Sequence, residues 1–466
     1  MPASPARVAT FDILLRVEQK GAYAAELLHS SRYAKLSTAD HGLATEIVMG
    51  VLRWRSWLDE QIAGQSSLRL AQLDLEVLTA LRMAVYQLIF LDRIPPHAAT
   101  DESVELVKQS RKRSAVGFTN AVLRKLARSK PSTPSAPRIT KCKSSRELSD
   151  ASAHPEWLVE RWVQEYGPEV ARKICAYDQQ IPQAQIRIGQ SVPDELMGVQ
   201  LAPGQLLSSA RRVIGGKLID TRAFREGRVV IQDEASQLVA SLVGNGAKIL
   251  DCCAAPGGKT RILAEQNPDA KIVAVELHPH RARLLRKMIS AKNVQIIVAD
   301  VRQLPTAELF DRVLVDAPCS GTGTLARNPE IKWRLKPEDL GELQARQLAI
   351  LLSAMQRVAS GGRLVYSTCS LEREENDAVI ESALSSSNSS FRLINCHELL
   401  LQLRESAELM WPDLQSLACT LSADDPGNSP LRWFLRRDPG KNLAFNAPRS
   451  SRLSPRSPFR LPLDSA

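Results

Sequence analysis

The stretch Lys248-Ile-Leu-Asp-Cys-Cys-Ala-Ala-Pro-Gly-Gly-Lys-Thr260 indicates the fold of this chain. A short apolar run ends in an acid, Asp251, and a turn of small residues then leads into a segment compatible with a helix. This order of strand, glycine turn and helix is typical of folds that hold a nucleotide-type cofactor at a helix N-terminus. Gly257 and Gly258 favour a close approach of the backbone to a ligand, because neither has a Cβ.

The end of the same stretch, Gly258-Lys259-Thr260, is similar to the end of a phosphate-binding P-loop. The P-loop pattern requires a glycine at position 253, where this chain has Cys253. The chain also lacks a convincing Walker-B acid. An NTPase is therefore the least favoured of the functions considered.

Composition places the chain among ordinary globular proteins. Its 466 residues are 44% hydrophobic and 24% charged, and about 100–200 residues per domain predicts about three domains. No apolar run approaches the roughly 18 residues of a membrane span, and the N-terminus lacks the apolar segment of a signal peptide. We expect a cytoplasmic monomer that has no contact with a membrane.

The charge of the chain favours a polyanionic partner. The net charge is +10, and the pI is about 9.3. Residues 107–130 contain no acid but include eight basic residues: Lys108, Arg111, Lys112, Arg113, Arg124, Lys125, Arg128 and Lys130. A solvated helix face is one interpretation of this segment, and a surface for a phosphate backbone is the one that we favour.

The eight cysteines do not indicate a disulfide framework or a zinc site. They are sparse, and no two of them form a C-x-x-C pair. We predict no metal. Any functional cysteine should act as a free thiol in a reducing compartment.

The hydrophobic pattern predicts a multidomain chain. Residues 1–128 have helical periodicity and should form an all-α domain, while 129–153 are rich in Pro, Ser and Lys and should form a linker. Residues 154–235 suggest a small α+β module. Residues 236–437 alternate strands with helices and should form an α/β domain, in which Leu431–Leu435 is an edge strand. The tail, 438–466, is predicted to be disordered.

Acids and cysteines follow successive predicted strands of the α/β domain. Glu276, Asp300 and Asp316 end the second, third and fourth strands, Cys319 follows soon after the fourth, and Cys369 ends the fifth. The carboxyl ends of parallel strands meet at one edge of a doubly wound sheet, where ligands bind. These five side chains should therefore converge on one cleft.

Four motifs together carry a family resemblance. They are the quoted stretch from Asp251, Asp316-Ala-Pro-Cys-Ser-Gly-Thr-Gly323, Asn328-Pro-Glu-Ile-Lys-Trp333 and Tyr366-Ser-Thr-Cys-Ser370. This set resembles the RNA cytosine-C5 methyltransferases of the NOL/NOP/Sun type. Tyr86–Phe90, Ile94–Ala98 and Gly117–Arg124 resemble the NusB RNA-binding domain. The combination is similar to the bacterial RsmB/Sun branch, whose members methylate small-subunit ribosomal RNA.

The resemblance implies a Rossmann-like domain that uses S-adenosylmethionine, and it implies a role for each matching residue. Glu276 would bind the ribose hydroxyls, Asp300 the adenine edge, and Asp316 would lie between the cofactor and the target base. The cofactor site would also be lined by Cys253, Ala254, Ala255, Pro256, Gly257, Gly258 and Lys259. The small α+β module would bind RNA.

Two cysteines are expected to act in the reaction. A pyrimidine C5 becomes nucleophilic when a thiolate adds to C6, and the C5 proton and the thiol must leave afterwards. By the resemblance, Cys369 is the nucleophile and Cys319 assists proton removal and product release. DNA cytosine methyltransferases use the cysteine of Pro-Cys instead, so the two roles could be exchanged. The context Tyr366-Ser-Thr-Cys369 favours the RNA arrangement.

Two alternatives to a ribosomal RNA methyltransferase stay open. One is an RNA-binding assembly factor with an inactive methyltransferase fold, against which the intact Asp316, Cys319 and Cys369 argue. The other is a transfer RNA substrate, against which only the NusB-like domain argues. In either RNA, the target cytosine should be unpaired or flipped out of its helix.

Overall fold

The computed structural model describes residues 2–129, 131, 133, 139, 141–188, 196–304, 306–387 and 390–411, and the backbone of 433–437. The chain divides into two compact units. The first contains the residues up to Ile181 together with the segment Thr324–Leu335, and the second contains Pro182–Gly323 and the described residues from Lys336 onward. The predicted tail, 438–466, lies outside the described residues.

The first unit is helical throughout its described residues. Its helices are α1 Pro5–Lys20, α2 Ala24–Leu28, α3 Thr38–Arg53, α4 Arg55–Gln65, α5 Leu75–Phe90, α6 Pro96–Gln109, α7 Val116–Ser129, α8 Ser145–Ser152, α9 Glu156–Asp178 and the short α14 Ile331–Arg334. Three 3-10 turns join them, Ser31–Tyr33, Leu70–Gln72 and Arg113–Ala115.

Periodic apolar side chains build the core of α1 to α7. Helix α5 is buried over most of its length and packs against α3, α4 and α6. Ser37, just before α3, accepts a hydrogen bond from the Asp40 amide at 3.1 Å and so caps the N-terminus of this helix. The all-α NusB-like N-terminal domain predicted from the sequence is confirmed.

The units divide at different residues from the predicted domains. Residues 145–152, in the predicted linker, form α8, whose Leu148 and Ala151 are buried. Helix α9 belongs to the first unit, although the prediction grouped it with residues up to 235. The physical reason is packing, because α8 and α9 contact each other extensively and bury Trp162. Gly167 and Pro168 interrupt the helical geometry of α9.

The segment Thr324–Leu335 packs within the first unit although it follows the Pro-Cys motif in the chain. Lys332 Nζ donates to the Arg53 carbonyl at 2.8 Å, and Trp333 Nε1 donates to the Leu52 carbonyl at 2.6 Å. Lys332 is 1% exposed. Burial lowers its pKa to about 7, and the same cause raises the pKa of Asp178 to about 8.

The second unit begins with a four-stranded antiparallel sheet. Its strands, in the order β2-β3-β1-β4, are β1 Gln185–Arg187, β2 Gln200–Pro203, β3 Ala210–Gly215 and β4 Val230–Ile231. A 3-10 turn, Leu218–Asp220, and the short helix α10 Arg222–Arg225 precede β4. Ile186, Leu218 and Val229 form its small core. The sheet and α10 constitute an α+β module.

A seven-stranded sheet forms the rest of the unit, in the order β10-β11-β9-β8-β5-β6-β7. The strands are β5 Lys248–Asp251, β6 Lys271–Glu276, β7 Val294–Val298, β8 Phe310–Asp316, β9 Val358–Ser367, β10 Phe391–Leu393 and β11 Trp433–Arg437. The helices are α11 Glu234–Val243, α12 Gly258–Gln266, α13 Pro279–Met288, α15 Asp339–Met355, α16 Asp377–Ser386 and α17 Cys396–Glu405. Short 3-10 turns include Val301–Gln303, Thr322–Thr324 and Arg373–Glu375.

Five neighbouring strands, β7, β6, β5, β8 and β9, are parallel. The strand order reverses at β5, which lies between β6 and β8, so a cofactor cleft is expected beyond the carboxyl end of β5. The predicted α/β Rossmann-like fold is confirmed. The predicted strand near Leu431–Leu435 is present as β11, but the prediction that it lies at the edge of the sheet is wrong. Strand β11 pairs with β9 on one side and with the three-residue β10 on the other, and β10 is the edge strand.

Candidate active site

The cofactor turn joins the carboxyl end of β5 to the first turn of α12 and contains all seven predicted turn residues. Gly257 has φ +119°, and a Cβ on it would lie 2.8 Å from Leu285 Cδ1 on α13. A side chain at Gly257 would therefore be strained by the backbone conformation and would force the Leu285 side chain to shift. Helix α12 begins at Gly258, directly after this turn, so its N-terminal amides, which have no partner within the helix, are available to an anionic group.

Asp251 anchors this turn from the end of β5. It is buried, and Thr260 Oγ1 donates to its Oδ2 at 2.7 Å. Burial raises the pKa of Asp251 to about 6, although the Thr260 hydrogen bond opposes the change. The carboxyl group therefore ties α12 to β5.

Glu276 ends β6 on the same edge of the sheet. The carboxylate is 4% exposed, and its Oε1 accepts from the His278 amide at 2.8 Å. Arg281 Nη1 lies 3.9 Å from Glu276 Oε2, and Arg281 Nη2 donates to the Ala255 carbonyl at 3.1 Å. Sequence reasoning missed Arg281, which connects the cofactor turn to the predicted ribose-binding acid.

Asp300 lies two residues beyond β7 and is held by its own neighbour. The Arg302 guanidinium donates to both carboxylate oxygens, at 3.0 Å from Nε and 2.6 Å from Nη2. This hydrogen bonding lowers the pKa of Asp300. Arg302 therefore competes with any ligand for the predicted adenine-binding acid.

Asp316 and Lys259 form an ion pair between β8 and α12. Lys259 Nζ donates to Asp316 Oδ2 at 2.7 Å, and Ser367 Oγ donates to Oδ1 at 2.8 Å. Burial is the largest single effect on the pKa of Lys259 and lowers it, but the pKa is raised overall, because the charge and hydrogen bond of Asp316, together with Cys369 and Asp251, outweigh burial. The motif Tyr366–Ser370 predicts no role for Ser367. It fixes the orientation of the Asp316 carboxylate.

The two predicted catalytic cysteines lie side by side. Cys319 Sγ is 3.1 Å from Cys369 Sγ, and the Cys369 amide donates to Cys319 Sγ at 3.3 Å. Both cysteines are free thiols, and Cys369 is the more exposed. The ladder between β8 and β9 ends at the pair Asp316 and Ser367, so both cysteines lie on loops just beyond the sheet.

The contact between the sulfurs makes the two thiols unequal. A hydrogen bond from Cys319 lowers the pKa of Cys369, and the Lys259 ammonium lowers it further, while burial and Asp316 act in the opposite direction. The same hydrogen bond raises the pKa of Cys319, and burial adds to that effect. The arrangement thus favours a thiolate at Cys369 and a thiol at Cys319.

The basic segment of the first unit is only partly available to an anion. Lys112 Nζ lies 3.0 Å from Asp74, and Lys108 lies 3.4 Å from Glu105. A cavity of about 480 Å³ is lined by Glu105, Lys108, Gln109, Arg113 and Val116. Lys130 of this segment lies outside the described residues.

No candidate metal centre is present in the part of the chain that the structure describes, where no three His, Cys, Asp or Glu side chains are grouped to hold an ion. The same residues contain no helix long and apolar enough to cross a membrane.

Fold and site together define a Rossmann-type methyltransferase. The family model for 16S rRNA methyltransferase RsmB/F matches residues 241–417, and the NusB family model matches residues 4–128. The chain therefore belongs to the RsmB/F family of 16S ribosomal RNA methyltransferases. This membership confirms S-adenosylmethionine as the cofactor predicted from the sequence.

Similar proteins support this assignment over most of the chain. The protein named "Probable ribosomal RNA small subunit methyltransferase B" from Bacillus subtilis strain 168 is 35% identical, over 82% of this chain and 88% of its own length. The ribosomal RNA small subunit methyltransferase B of Sodalis glossinidius is 32% identical, over 84% of this chain and 89% of its own. Among solved structures, the crystal structure of PH0851 matches with a TM-score of 0.69 and 26% identity, over 84% of this chain and 92% of that one.

Proposed function

We propose that this protein methylates C5 of a specific cytosine in 16S ribosomal RNA through a covalent bond between Cys369 and C6. The observation that carries the proposal is the pair of free thiols, 3.1 Å apart, beside the Lys259–Asp316 ion pair. A pyrimidine C5 needs a nucleophile at C6 and a base for the C5 proton. Two cysteines of unequal acidity meet both needs.

The residues of the cleft fit S-adenosylmethionine. Carboxylates at Glu276 and Asp300 suit the ribose hydroxyls and the adenine amino group, and the amides of the first turn of α12 suit a carboxylate. Asp300 can serve only if Arg302 moves from it or shares it. When bound, the cofactor supplies an electrophilic methyl group on a sulfonium.

In the first half of the proposed reaction, the Cys369 thiolate forms a bond to C6 of the cytosine. The electron pair of the C5–C6 double bond becomes available at C5 and is shared with N3. The Asp316 carboxylate accepts a hydrogen bond from the N4 amino group and so orients the base, while the Lys259 ammonium limits the charge at this edge. C5 then forms a bond to the methyl carbon while the bond from that carbon to the sulfonium sulfur breaks, and the sulfur leaves as a neutral thioether.

The second half of the proposed reaction belongs to Cys319. Once Cys369 is bonded to carbon, its sulfur no longer shares the Cys319 proton, and that proton passes to solvent. The Cys319 thiolate then takes the proton from C5. The electrons of the C–H bond restore the C5–C6 double bond, and the Cys369 sulfur leaves C6 as a thiolate.

Ribosomal RNA is proposed as the substrate on three grounds. The relatives named above are ribosomal RNA methyltransferases, residues 4–128 match the NusB family, and the chain has a net charge of +10. Basic surfaces bind RNA through its phosphates, and base chemistry requires an unpaired or extruded nucleotide.

The deciding experiment supplies methyl-labelled S-adenosylmethionine and two RNAs, unmodified small-subunit ribosomal RNA and unmodified transfer RNA, to the full-length protein. The labelled RNA is digested to nucleosides and separated. We expect 5-methylcytidine from ribosomal RNA alone. Label at another atom would contradict the cytosine-C5 reaction, label in transfer RNA alone would contradict the substrate, and absence of label from both would favour an inactive assembly factor.

A further inference from the structure

A buried carboxylate, Glu375, links the loops that bear the two cysteines. It ends the 3-10 turn Arg373–Glu375, six residues after Cys369, and it is 0% exposed. Neither the family motifs quoted above nor the proposed chemistry uses it. A buried carboxylate of this kind requires hydrogen-bond donors on both oxygens.

Ser320, which follows Cys319, and Gln347 on α15 donate three hydrogen bonds to the Glu375 carboxylate, two to Oε1 and one to Oε2. The Ser320 amide donates to Glu375 Oε1 at 2.8 Å, and the Ser320 hydroxyl donates to Oε2. Gln347 Nε2 donates to Oε1 at 2.8 Å and also to the Pro318 carbonyl at 2.9 Å. The residues on both sides of Cys319 are thereby fixed, one directly and one through the buried Gln347.

The Cys369 loop provides the remaining donor. The Ser370 hydroxyl donates to Glu375 Oε2, so the same oxygen accepts from the residue that follows each cysteine. The Tyr366 hydroxyl donates to the Glu375 carbonyl at 2.8 Å, which holds the turn against the end of β9. Four donors fill the four acceptor positions of one carboxylate.

The sheet by itself does not define the distance between the cysteines. The ladder between β8 and β9 ends at Asp316 and Ser367, three residues before Cys319 and two before Cys369. Beyond that point, two loops must bring two sulfurs to 3.1 Å. Other direct contacts between the loops include the Gly323 amide on the Cys369 carbonyl at 2.9 Å, the Cys369 amide on Cys319 Sγ, and the Leu371 amide on Thr322 Oγ1 at 2.8 Å. The Ser370 hydroxyl also lies 3.0 Å from the Ser320 hydroxyl and 3.3 Å from the Thr322 hydroxyl. Glu375 differs from these contacts because one carboxylate accepts hydrogen bonds from both loops.

We propose that Glu375 is a positioning residue, which holds Cys319 and Cys369 at bonding distance of one another so that both can act on the same base. The catalytic consequence rests on the proposed function, whereas the geometric consequence does not. Displacement of a reacting group by about 1 Å can reduce the rate by about 100-fold. Removal of the carboxylate should therefore affect the chemical step and leave the cofactor site at β5 to β7 intact.

The distance between the two cysteines is tested with a reagent that binds a pair of neighbouring thiols. Phenylarsine oxide forms two As–S bonds and releases water only where two thiols can reach one arsenic atom, so intact-mass analysis reports whether the two cysteines are paired. We expect one adduct on the wild type, none attributable to this pair on Cys319→Ala, and loss of the adduct on Glu375→Ala. Glu381→Ala is the matched control, because Glu381 is a surface carboxylate 3.7 Å from Arg373.

The same variants are assayed for methyl transfer. For Glu375→Ala we expect kcat to fall by about 100-fold, with unchanged binding of S-adenosylmethionine. Glu375→Gln should recover adduct formation and much of the rate, because its oxygen can face the Ser320 amide and Gln347 while its amino group faces hydroxyls that can turn to accept. A merely space-filling role would be met equally by Glu375→Met, which has a similar volume but no oxygen to accept hydrogen bonds, so we expect Glu375→Met to behave like Glu375→Ala.

Retention of both the adduct and the rate by a folded Glu375→Ala would overturn the proposal, as would a Gln variant no better than Ala. If Glu375→Ala does not fold by circular dichroism, Ser370→Ala removes a single donor, and wild-type adduct and rate in that variant would also overturn it. Failure of the wild type to methylate cytosine would contradict the proposed function alone, since the arsenical adduct does not depend on RNA.

Discussion

The sulfur of Cys319 lies 3.1 Å from the sulfur of Cys369, and the pair is reached from two adjacent parallel strands. The hydrogen bond between them lowers the pKa of Cys369, the more exposed member, and so favours the thiolate form there over Cys319. This asymmetry gives the two residues different expected phenotypes, although they occupy the same site.

Cys369→Ala should abolish both methyl transfer and covalent capture of RNA, because the C6 nucleophile is gone. Cys319→Ala should transfer methyl groups but accumulate a protein–RNA adduct, because the C5 proton is no longer removed. Denaturing gels with labelled RNA distinguish the two. The reverse pattern would assign the nucleophile to Cys319, and Cys175→Ala, at a buried thiol of the first unit, provides the control.

Lys259→Met should lower kcat/KM by at least about tenfold, since a charge that stabilises the Cys369 thiolate and orients Asp316 is removed. The lysine lowers the pKa of Cys369, so its loss should move the alkylation of Cys369 by iodoacetamide to higher pH. Mass spectrometry of the Cys369 peptide measures this directly. Lys259→Arg keeps the charge, and an equal change in both variants would argue against an electrostatic role.

Asp300→Ala should weaken cofactor binding, whereas Arg302→Ala should not. If Asp300 binds the adenine edge, its removal should weaken S-adenosylmethionine binding by about 1 kcal/mol or more. Arg302 occupies both oxygens of that carboxylate, so Arg302→Ala should leave the affinity unchanged or improve it. Isothermal titration calorimetry with S-adenosylmethionine measures the affinity of each variant. Weaker binding in Arg302→Ala alone would transfer the role to the arginine.

Gly257→Ala should reduce cofactor affinity by about tenfold or more, because a residue at φ +119° is strained and its Cβ would collide with Leu285. Equilibrium dialysis with the labelled cofactor measures the change. Gly341→Ala on α15 is the control, since no atom lies within 4 Å of a Cβ there. Normal binding by Gly257→Ala would show that the turn can shift without cost.

Asp251→Asn should change how stability depends on pH. The folded-state pKa of Asp251, about 6, lies above the ordinary value of 3.8, so the protonated form is favoured in the fold. Protonation of Asp251 therefore stabilises the folded state. The stabilisation is fully present below about pH 4, amounts to about 3 kcal/mol in the free energy of unfolding, and is lost as the pH rises through 6. Between pH 5 and 7, urea unfolding should show Asp251→Asn gaining about 1 kcal/mol relative to wild type. A difference independent of pH would contradict this.

Much of the site could be predicted from the local sequence pattern, because the carboxyl ends of parallel strands lie at the same edge of the sheet. Asp316, Cys319 and Cys369 were predicted to converge from their strand-end positions, and the structure brings them together with Lys259. Glu276 ends β6, and Asp300 follows the neighbouring strand β7 by two residues. Their roles in binding remain predictions.

The partners of these side chains could not be predicted in the same way. The capture of Asp300 by Arg302 and the four donors on Glu375 depend on side-chain rotamers and loop geometry, which leave no periodic signal. The three-residue strand β10 was too short to be recognised, and that omission caused β11 to be predicted at the edge. Lys332 and Arg53 are 279 positions apart in the sequence, so no local sequence pattern could predict their contact.

The segment Thr324–Leu335 belongs to the first unit, although residues of the second unit precede and follow it in the chain. This arrangement limits where the protein can be cut into separate fragments. The described chain passes from the first unit to the second, back, and out again, so neither unit is a single uninterrupted stretch of the gene. A fragment that starts at residue 182 would keep Lys332 and Trp333 but lose the Arg53 and Leu52 carbonyls that accept their hydrogen bonds. The helical unit is thus not a detachable accessory, because recombination that removed it would leave this segment without its packing partners directly after the Pro-Cys loop.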